Sequence, residues 1–421
     1  MNRKALFESK RHNGQLRRWC IAGALVLALA PLGPSALATG VPATDLPAAR
    51  PVSQVLVTQN SAQPATSQMV TRPRIQLAIL LDTSNSMDGL IEQTRNQLWQ
   101  VVNEFATAEQ NGVAPILEIA LFDYGNSGNA SGAGYVRQLN GFTRELDAVS
   151  QGLFALTTNG GDEYCGYAID TAIHALQWSQ SASDIKIIFI AGNESFAQGP
   201  VPYQQAARLA QQYGISINTI HAGDHDTGVR DGWQDGALLA GGEYLAIDAN
   251  QQVVHIAAPQ DARIAELNAE LNGTYLPYGS EGAGKAQRQI QQDQLSSDIS
   301  TGLLAKRARS KVSEFYANAD WDLVDALKDG AVAEEELAAM EDAALPTPMQ
   351  GMSAEEKLGY LKQKRAQRES IQREILELSE SRASYVAEQK REQAVASPSV
   401  SDALTGAIRR QAQQKHFTFN N

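Results

Sequence analysis

The chain is poor in cysteine. Its 421 residues hold two: Cys20 in an apolar leader and Cys165 alone in the body. Once the leader is removed no intramolecular disulfide can form, which excludes a disulfide-built scaffold and leaves the redox compartment open. A lone thiol of this kind reads as a small buried hydrophobe before it reads as a nucleophile. Positive charge is also in short supply. Lys and Arg number 35 against 47 Asp and Glu, a net −12, so nucleic acid is not an expected partner. Beyond the leader no apolar stretch reaches the roughly 20 residues that span a bilayer. Neither G-x-S-x-G nor a phosphate-binding loop occurs. No repeat of about 20–50 residues marks a solenoid.

What charge there is lies unevenly. Up to Ala38 there are Arg3, Lys4, Lys10, Arg11, Arg17 and Arg18 against Glu8, so the remaining chain carries −17. The basic lead, the short apolar run WCIAGALVLALAPLG and Ala36-Leu37-Ala38 predict a cleavable signal peptide over 1–38. Cleavage after Ala38 would place the protein in the periplasm or outside the cell. An uncleaved leader would instead hold it at the membrane. Residues 39–72 are rich in Pro, Ala, Thr, Ser and Gln and read as a disordered linker.

From Ile75 the pattern is orderly. Apolar runs at 75–82, 117–125, 185–193 and 215–223 predict buried strands, 135–143 an edge strand and EYLAID a last one. Helical spacing fills the intervals at 89–108, 145–156, within 158–178, and at 203–214, 232–242 and 261–273. Strands alternating with helices predict an α/β fold with a doubly wound, mostly parallel sheet, whose ligands bind beyond the carboxyl ends of the strands. After about residue 280 the strand signals disappear and a helical C-terminal region, 280–421, is expected. Within it 353–394 is a long helix opening on a Ser353/Glu356 capping box. Leu358, Leu361, Ile371, Ile375, Leu378 and Tyr385 form its apolar stripe, broken at Gln367–Ser370. That stripe calls for a partner helix, in this chain or another.

The first strand ends IQLAILLDTSNSMDGL. Asp82, Ser84 and Ser86 set three oxygens on one side of a tight loop, the ligand type that hard cations require. A helix starting near Asp88 points its amide dipoles at the same place. D-x-S-x-S after an apolar strand resembles the first loop of the von Willebrand factor A (VWA) domain. The likeness covers roughly 73–279. It implies a metal-ion-dependent adhesion site holding a divalent cation, Mg²⁺ first and Mn²⁺ or Ca²⁺ as alternatives. One position of that cation would stay open for an acidic group of a protein partner. Where the resemblance implies a Thr in the second loop, this chain has Gly160-Gly161-Asp162-Glu163. Counting from the glycines selects Asp162, and counting back from Gly166 selects Glu163. Where it implies an Asp in the third loop stands Gly192, with Asn193 and Glu194 following as residues able to reach in behind. A second carboxylate facing Asp82 would repel it, and a cation would relieve that repulsion.

His221, Asp224, His225 and Asp226 (HAGDHD) offer metal-ligand material after another strand. They read as a polar binding loop, and as the alternative site of a metal-dependent hydrolase. The C-terminal part resembles the tail of bacterial exported proteins that carry this domain. The expected function is metal-dependent protein binding in the cell envelope, with no catalytic residues. A metal-free structural scaffold is the further alternative. The C-terminal helices would dock a second partner, self-associate, or brace the domain.

Overall fold

The computed structural model describes residues 72–85, 87–247, 256–392 and 400–419. The expected signal peptide, the linker up to residue 71, Ser86 and Asp248 lie outside the described residues. The described residues form one compact unit.

The elements run β1 (Arg74–Asp82), α1 (Asp88–Phe105), β2 (Ala108–Gln110), β3 (Ile116–Tyr124), β4 (Arg137–Thr143), α2 (Leu146–Ala155) and α3 (Cys165–Ala175). Then come β5 (Ile185–Gly192), α4 (Tyr203–Gln212), β6 (Ser216–Ala222), α5 (His225–Arg230), α6 (Trp233–Leu239), β7 (Tyr244–Ile247) and α7 (Asp261–Asn272). The main sheet has the order β4-β3-β1-β5-β6-β7. All its pairings are parallel except β3 with β4. This is the doubly wound arrangement that the alternation of strands and helices predicts.

β1 lies at the centre, and after Arg74 every residue of it is buried. Alternate residues serve opposite faces. Leu77, Ile79 and Leu81 pack with α1, α2 and α7, while Ala78 and Leu80 pack with α3, α4 and Trp233. Two covered faces explain the unbroken apolar run.

The C-terminal region supplies α8 (Gly279–Ile299), α9 (Thr301–Lys311), α10 (Leu323–Lys328), α11 (Glu334–Ala339), α12 (Ala354–Glu392), α13 (Val400–Gln414) and β8 (Phe417–Phe419). α8 packs on α2, α9 on α1 and α7, and α13 on α1 and β7. The capping box of α12 is present: Ser353 N donates to Glu356 Oε2 at 2.8 Å and Glu356 N to Ser353 Oγ at 3.3 Å. The stripe of α12 finds its partners within this chain, in α7, α9, α10 and α11. Arg368 fills the gap in that stripe. It is buried against Asp322, Asp325 and Thr274 and lies over the Tyr275 ring.

Two expectations need correction. The helix predicted over 89–108 ends at Phe105, and Ala108–Gln110 leaves it as β2. The C-terminal region is also not free of strands, because β8 pairs antiparallel with β2. Neither three-residue segment is long enough to show a period. Each exists because the other supplies its ladder, with Phe417 buried beneath. Above this pair α13 is tied down by reciprocal side-chain amide bonds between Asn218 and Gln411, at 3.1 and 2.7 Å.

Candidate functional site

The three loops read from the sequence meet at the carboxyl ends of β1, β3 and β5. Asp82 closes β1 with no exposed surface, and Ser84 is 4% exposed. Ser84 N donates to Asp82 Oδ1 at 2.7 Å, which turns the chain sharply off the strand. Thr83 N is held by Tyr124 O at 2.9 Å. Asn159 N reaches back to Thr83 O at 3.0 Å, and Ser127 N to Gly160 O at 2.9 Å. Asn126 Nδ2 adds a bond to Thr157 O at 2.9 Å. Backbone bonds thus set the first two loops against each other.

The second loop resolves the choice between neighbouring acids. Asp162 is exposed and accepts from the Tyr164 hydroxyl at 3.1 Å. Glu163 turns inward, is 4% exposed, and its carboxyl meets that of Asp82. Gly125 (φ +76°) makes the approach possible: a Cβ there would stand 2.8 Å from Asp82 Oδ1 and 2.9 Å from Glu163 Cγ. Asp82 Oδ2, Ser84 Oγ and Glu163 Oε2 are all buried without a hydrogen-bond partner. Two carboxyls and a hydroxyl packed together in one buried spot are costly unless a proton or a cation is shared among them.

On the third loop, Gly192 leaves space that another side chain has taken. Tyr124 donates its hydroxyl to Ala191 O at 2.9 Å, and a Cβ on Gly192 would lie 2.5 Å from that hydroxyl. Asn193 follows half-buried, and Glu194 is exposed on the rim with Gln198 Nε2 at 3.4 Å. Tyr124 went unremarked in the sequence. Its signal was positional, since the register sets Tyr124 beside Asp82.

HAGDHD is not a loop. Asp224 caps α5, its Oδ1 accepting from Thr227 N at 2.9 Å. Asp224, His225 and Asp226 are exposed, and His225 Nδ1 faces Asp226 Oδ1 at 3.1 Å. His221 lies apart, buried under Trp233 with Nε2 facing Asn193 O at 3.3 Å. Among the described residues no group of three or more His, Cys, Asp or Glu is placed to hold a metal. The paired acids are joined only by a serine. Cys165 is buried beside the Tyr124 hydroxyl, and burial pushes its thiol up, away from nucleophilic use.

Burial pushes the Asp82 carboxyl up. Burial, and then the facing Asp82, push Glu163 up to about 9. In chelator, then, the native pair keeps a proton that the unfolded chain releases at ordinary carboxyl values. Such a contribution is present at low pH and is lost as pH rises. Metal-free stability should decline from about pH 5, above the free Glu value, towards about pH 9. Glu163→Gln, which cannot ionise, should flatten that decline. Melting temperature against pH for the two proteins tests it, and parallel curves would refute the pairing.

A family profile for the von Willebrand factor type A domain matches residues 76–229, less than half of the chain. Similar solved structures include BatB from Bacteroides thetaiotaomicron, at 15% identity over 41% of this chain and 90% of that one, with a TM-score of 0.31. The SpRpn10 VWA domain matches at 15% identity over 43% of this chain and 100% of that one, TM-score 0.30. The pilus adhesin SpaC from Lactobacillus rhamnosus GG, in its open conformation, matches at 12% identity over 44% of this chain and 29% of that one, TM-score 0.31. No curated protein sequence matches. Among the described residues no helix is long and apolar enough to cross a membrane. Residues 76–229 of this chain are a von Willebrand factor type A domain, carried on a mostly parallel sheet and followed by a helical C-terminal region.

Proposed function

We propose that this chain is an exported, metal-ion-dependent protein-binding module of the cell envelope, in which a partner's carboxylate completes the shell of a divalent cation. The VWA domain is a module that often mediates protein–protein interaction, and the basic, apolar leader supports export. The observation that carries the metal is the buried cluster of oxygens from Asp82, Ser84 and Glu163, with no basic side chain among them. Two carboxylates and a hydroxyl are hard oxygen donors of the kind Mg²⁺ and Mn²⁺ take, with waters making up the rest. Asp82 and Glu163 would hold the ion by charge and Ser84 through its hydroxyl. Asp162, turned to Tyr164, would contribute only to the field at the rim. The bound ion would supply a positive centre for an acidic side chain.

Millimolar Mg²⁺ or Mn²⁺ should raise the melting temperature. At one hundred times the dissociation constant the stabilisation amounts to about 2.7 kcal/mol. Asp82→Ala should abolish the shift. A parent protein whose melting point ignores both ions would sink the metal reading and leave a metal-free scaffold. Capture of partners from an envelope extract, with and without chelator, then tests whether binding follows the ion.

A further inference from the structure

We infer that Glu163 fills, from inside the chain, the cation position that a partner's carboxylate needs, so that the site is capped by its own acid and opens only when that side chain withdraws. The inference rests on the metal reading above and adds how the site is regulated.

Geometry points to it first. Glu163 is as buried as Ser84, and its carboxyl sits against the Asp82 carboxyl and the Ser84 hydroxyl. The third-loop side is walled off. A Cβ at Gly192 would meet the Tyr124 hydroxyl at 2.5 Å and both Asp82 Oδ2 and the Trp233 ring at 3.1 Å. No larger residue fits at that position, and Glu163 supplies the second carboxyl of the cluster from the second loop. Gly161 pins that loop: a Cβ on it would lie 2.4 Å from Gly125 O. The backbone is packed closely there, so opening of the site would fall to rotation of the Glu163 side chain. Its outward neighbours are Gln198, whose Oε1 accepts Glu163 N at 3.4 Å, and the exposed Glu194.

Charge points the same way. Asp82 and Glu163 together neutralise a divalent ion, so the capped site has little to offer an anion. Withdrawal of Glu163 leaves an excess positive charge beneath a low-dielectric wall, where an incoming carboxylate is held strongly.

Mn²⁺ is the probe, read by water-proton relaxation, with acetate as the incoming acid. Parent protein should bind Mn²⁺ with few exchangeable waters and show no response to millimolar acetate. Glu163→Ala should bind Mn²⁺ about tenfold more weakly or worse, gain about one or two exchangeable waters, and lose them to acetate. Asp162→Asn, at an exposed neighbour turned to Tyr164, should behave as the parent does. Equal relaxation and equal indifference to acetate in parent and Glu163→Ala would overturn the capping role while Mn²⁺ binding stood. So would a parent that takes acetate as readily as Glu163→Ala. Absence of Mn²⁺ binding to the parent would overturn the metal reading itself.

Discussion

Arg307→Ala is expected to cost the folded protein about 3–5 kcal/mol, the penalty for stranding buried charges. No other single substitution proposed for this chain should cost more. Arg307 has no exposed surface and lies on α9. Its Nη1 donates to Asp147 Oδ1 of α2 at 2.6 Å and its Nε to Asp293 Oδ1 of α8 at 2.5 Å. Nη2 donates to Gln289 O at 3.0 Å, and the guanidinium lies over the Trp99 ring of α1. Around it Lys311 Nζ reaches Asp293 Oδ2 at 2.9 Å, and the Tyr316 hydroxyl reaches Asp147 Oδ2 at 2.5 Å. One side chain thus ties the sheet domain to two helices of the C-terminal region.

The charges explain why truncation is worse than replacement. Burial pushes the Asp293 carboxyl up, but Lys311 and then Arg307 outweigh it and hold that carboxyl well below its usual range. Its stabilising contribution is therefore complete above the ordinary Asp value of about 3.9 and is lost as pH falls beneath it. Removing Arg307 leaves Asp147 with a hydroxyl and no cation. Arg307→Lys should recover only part of the loss, since an ammonium cannot fork to two carboxylates. Arg307→Met combined with Asp147→Asn should recover more, because Asp293 keeps Lys311 and no buried charge is then left without a partner. Denaturant unfolding measures each. An Arg307→Ala protein within about 1 kcal/mol of the parent, the scale of a surface pair, would show that the cluster is solvated and does not join the two regions.

The same contrast between local and long-range determinants marks what could be read from the sequence. The strands of the central sheet were legible because both faces are covered, so apolar residues run without a break. Asp82 was legible because a carboxylate ending such a run is conspicuous. The capping box of α12 was legible because its two partners are three residues apart. Asp162 and Glu163 could not be separated, since neighbours in an irregular loop point opposite ways and only the seating of Gly125 and Gly161 decides which turns in. Tyr124 needed the register of β1 on β3. Arg368 was hidden in a gap of the α12 stripe because the acids that neutralise it, Asp322 and Asp325, lie more than forty residues away. HAGDHD misled for a different reason. Its ligand-like residues drew attention from the Asp224-to-Thr227 spacing, which is that of a helix cap.

Gly192→Asp, the change that would restore the carboxylate implied for the third loop by the family resemblance, should destabilise this protein. Its Cβ would come within 2.5 Å of the Tyr124 hydroxyl, and overpacking of this kind costs about 1–3 kcal/mol. A third carboxylate beside Asp82 and Glu163 adds repulsion in the absence of an ion. Tyr124→Phe alone should cost about 0.5–1.5 kcal/mol, because the Ala191 carbonyl loses its donor. Together the two changes should cost less than their sum. The missing hydroxyl vacates the space that the new carboxylate enters, and contacting residues couple by about 0.5–3 kcal/mol. If the proposed site holds, Mn²⁺ should then stabilise the double variant more than the parent, since an ion there would face three acids in place of two. The double-mutant cycle, run by denaturant unfolding in chelator and repeated with Mn²⁺, separates the steric part from the electrostatic part. Additive losses in both media would mean that Tyr124 does not stand in for the absent acid, and that Gly192 is small for a reason unconnected with the site.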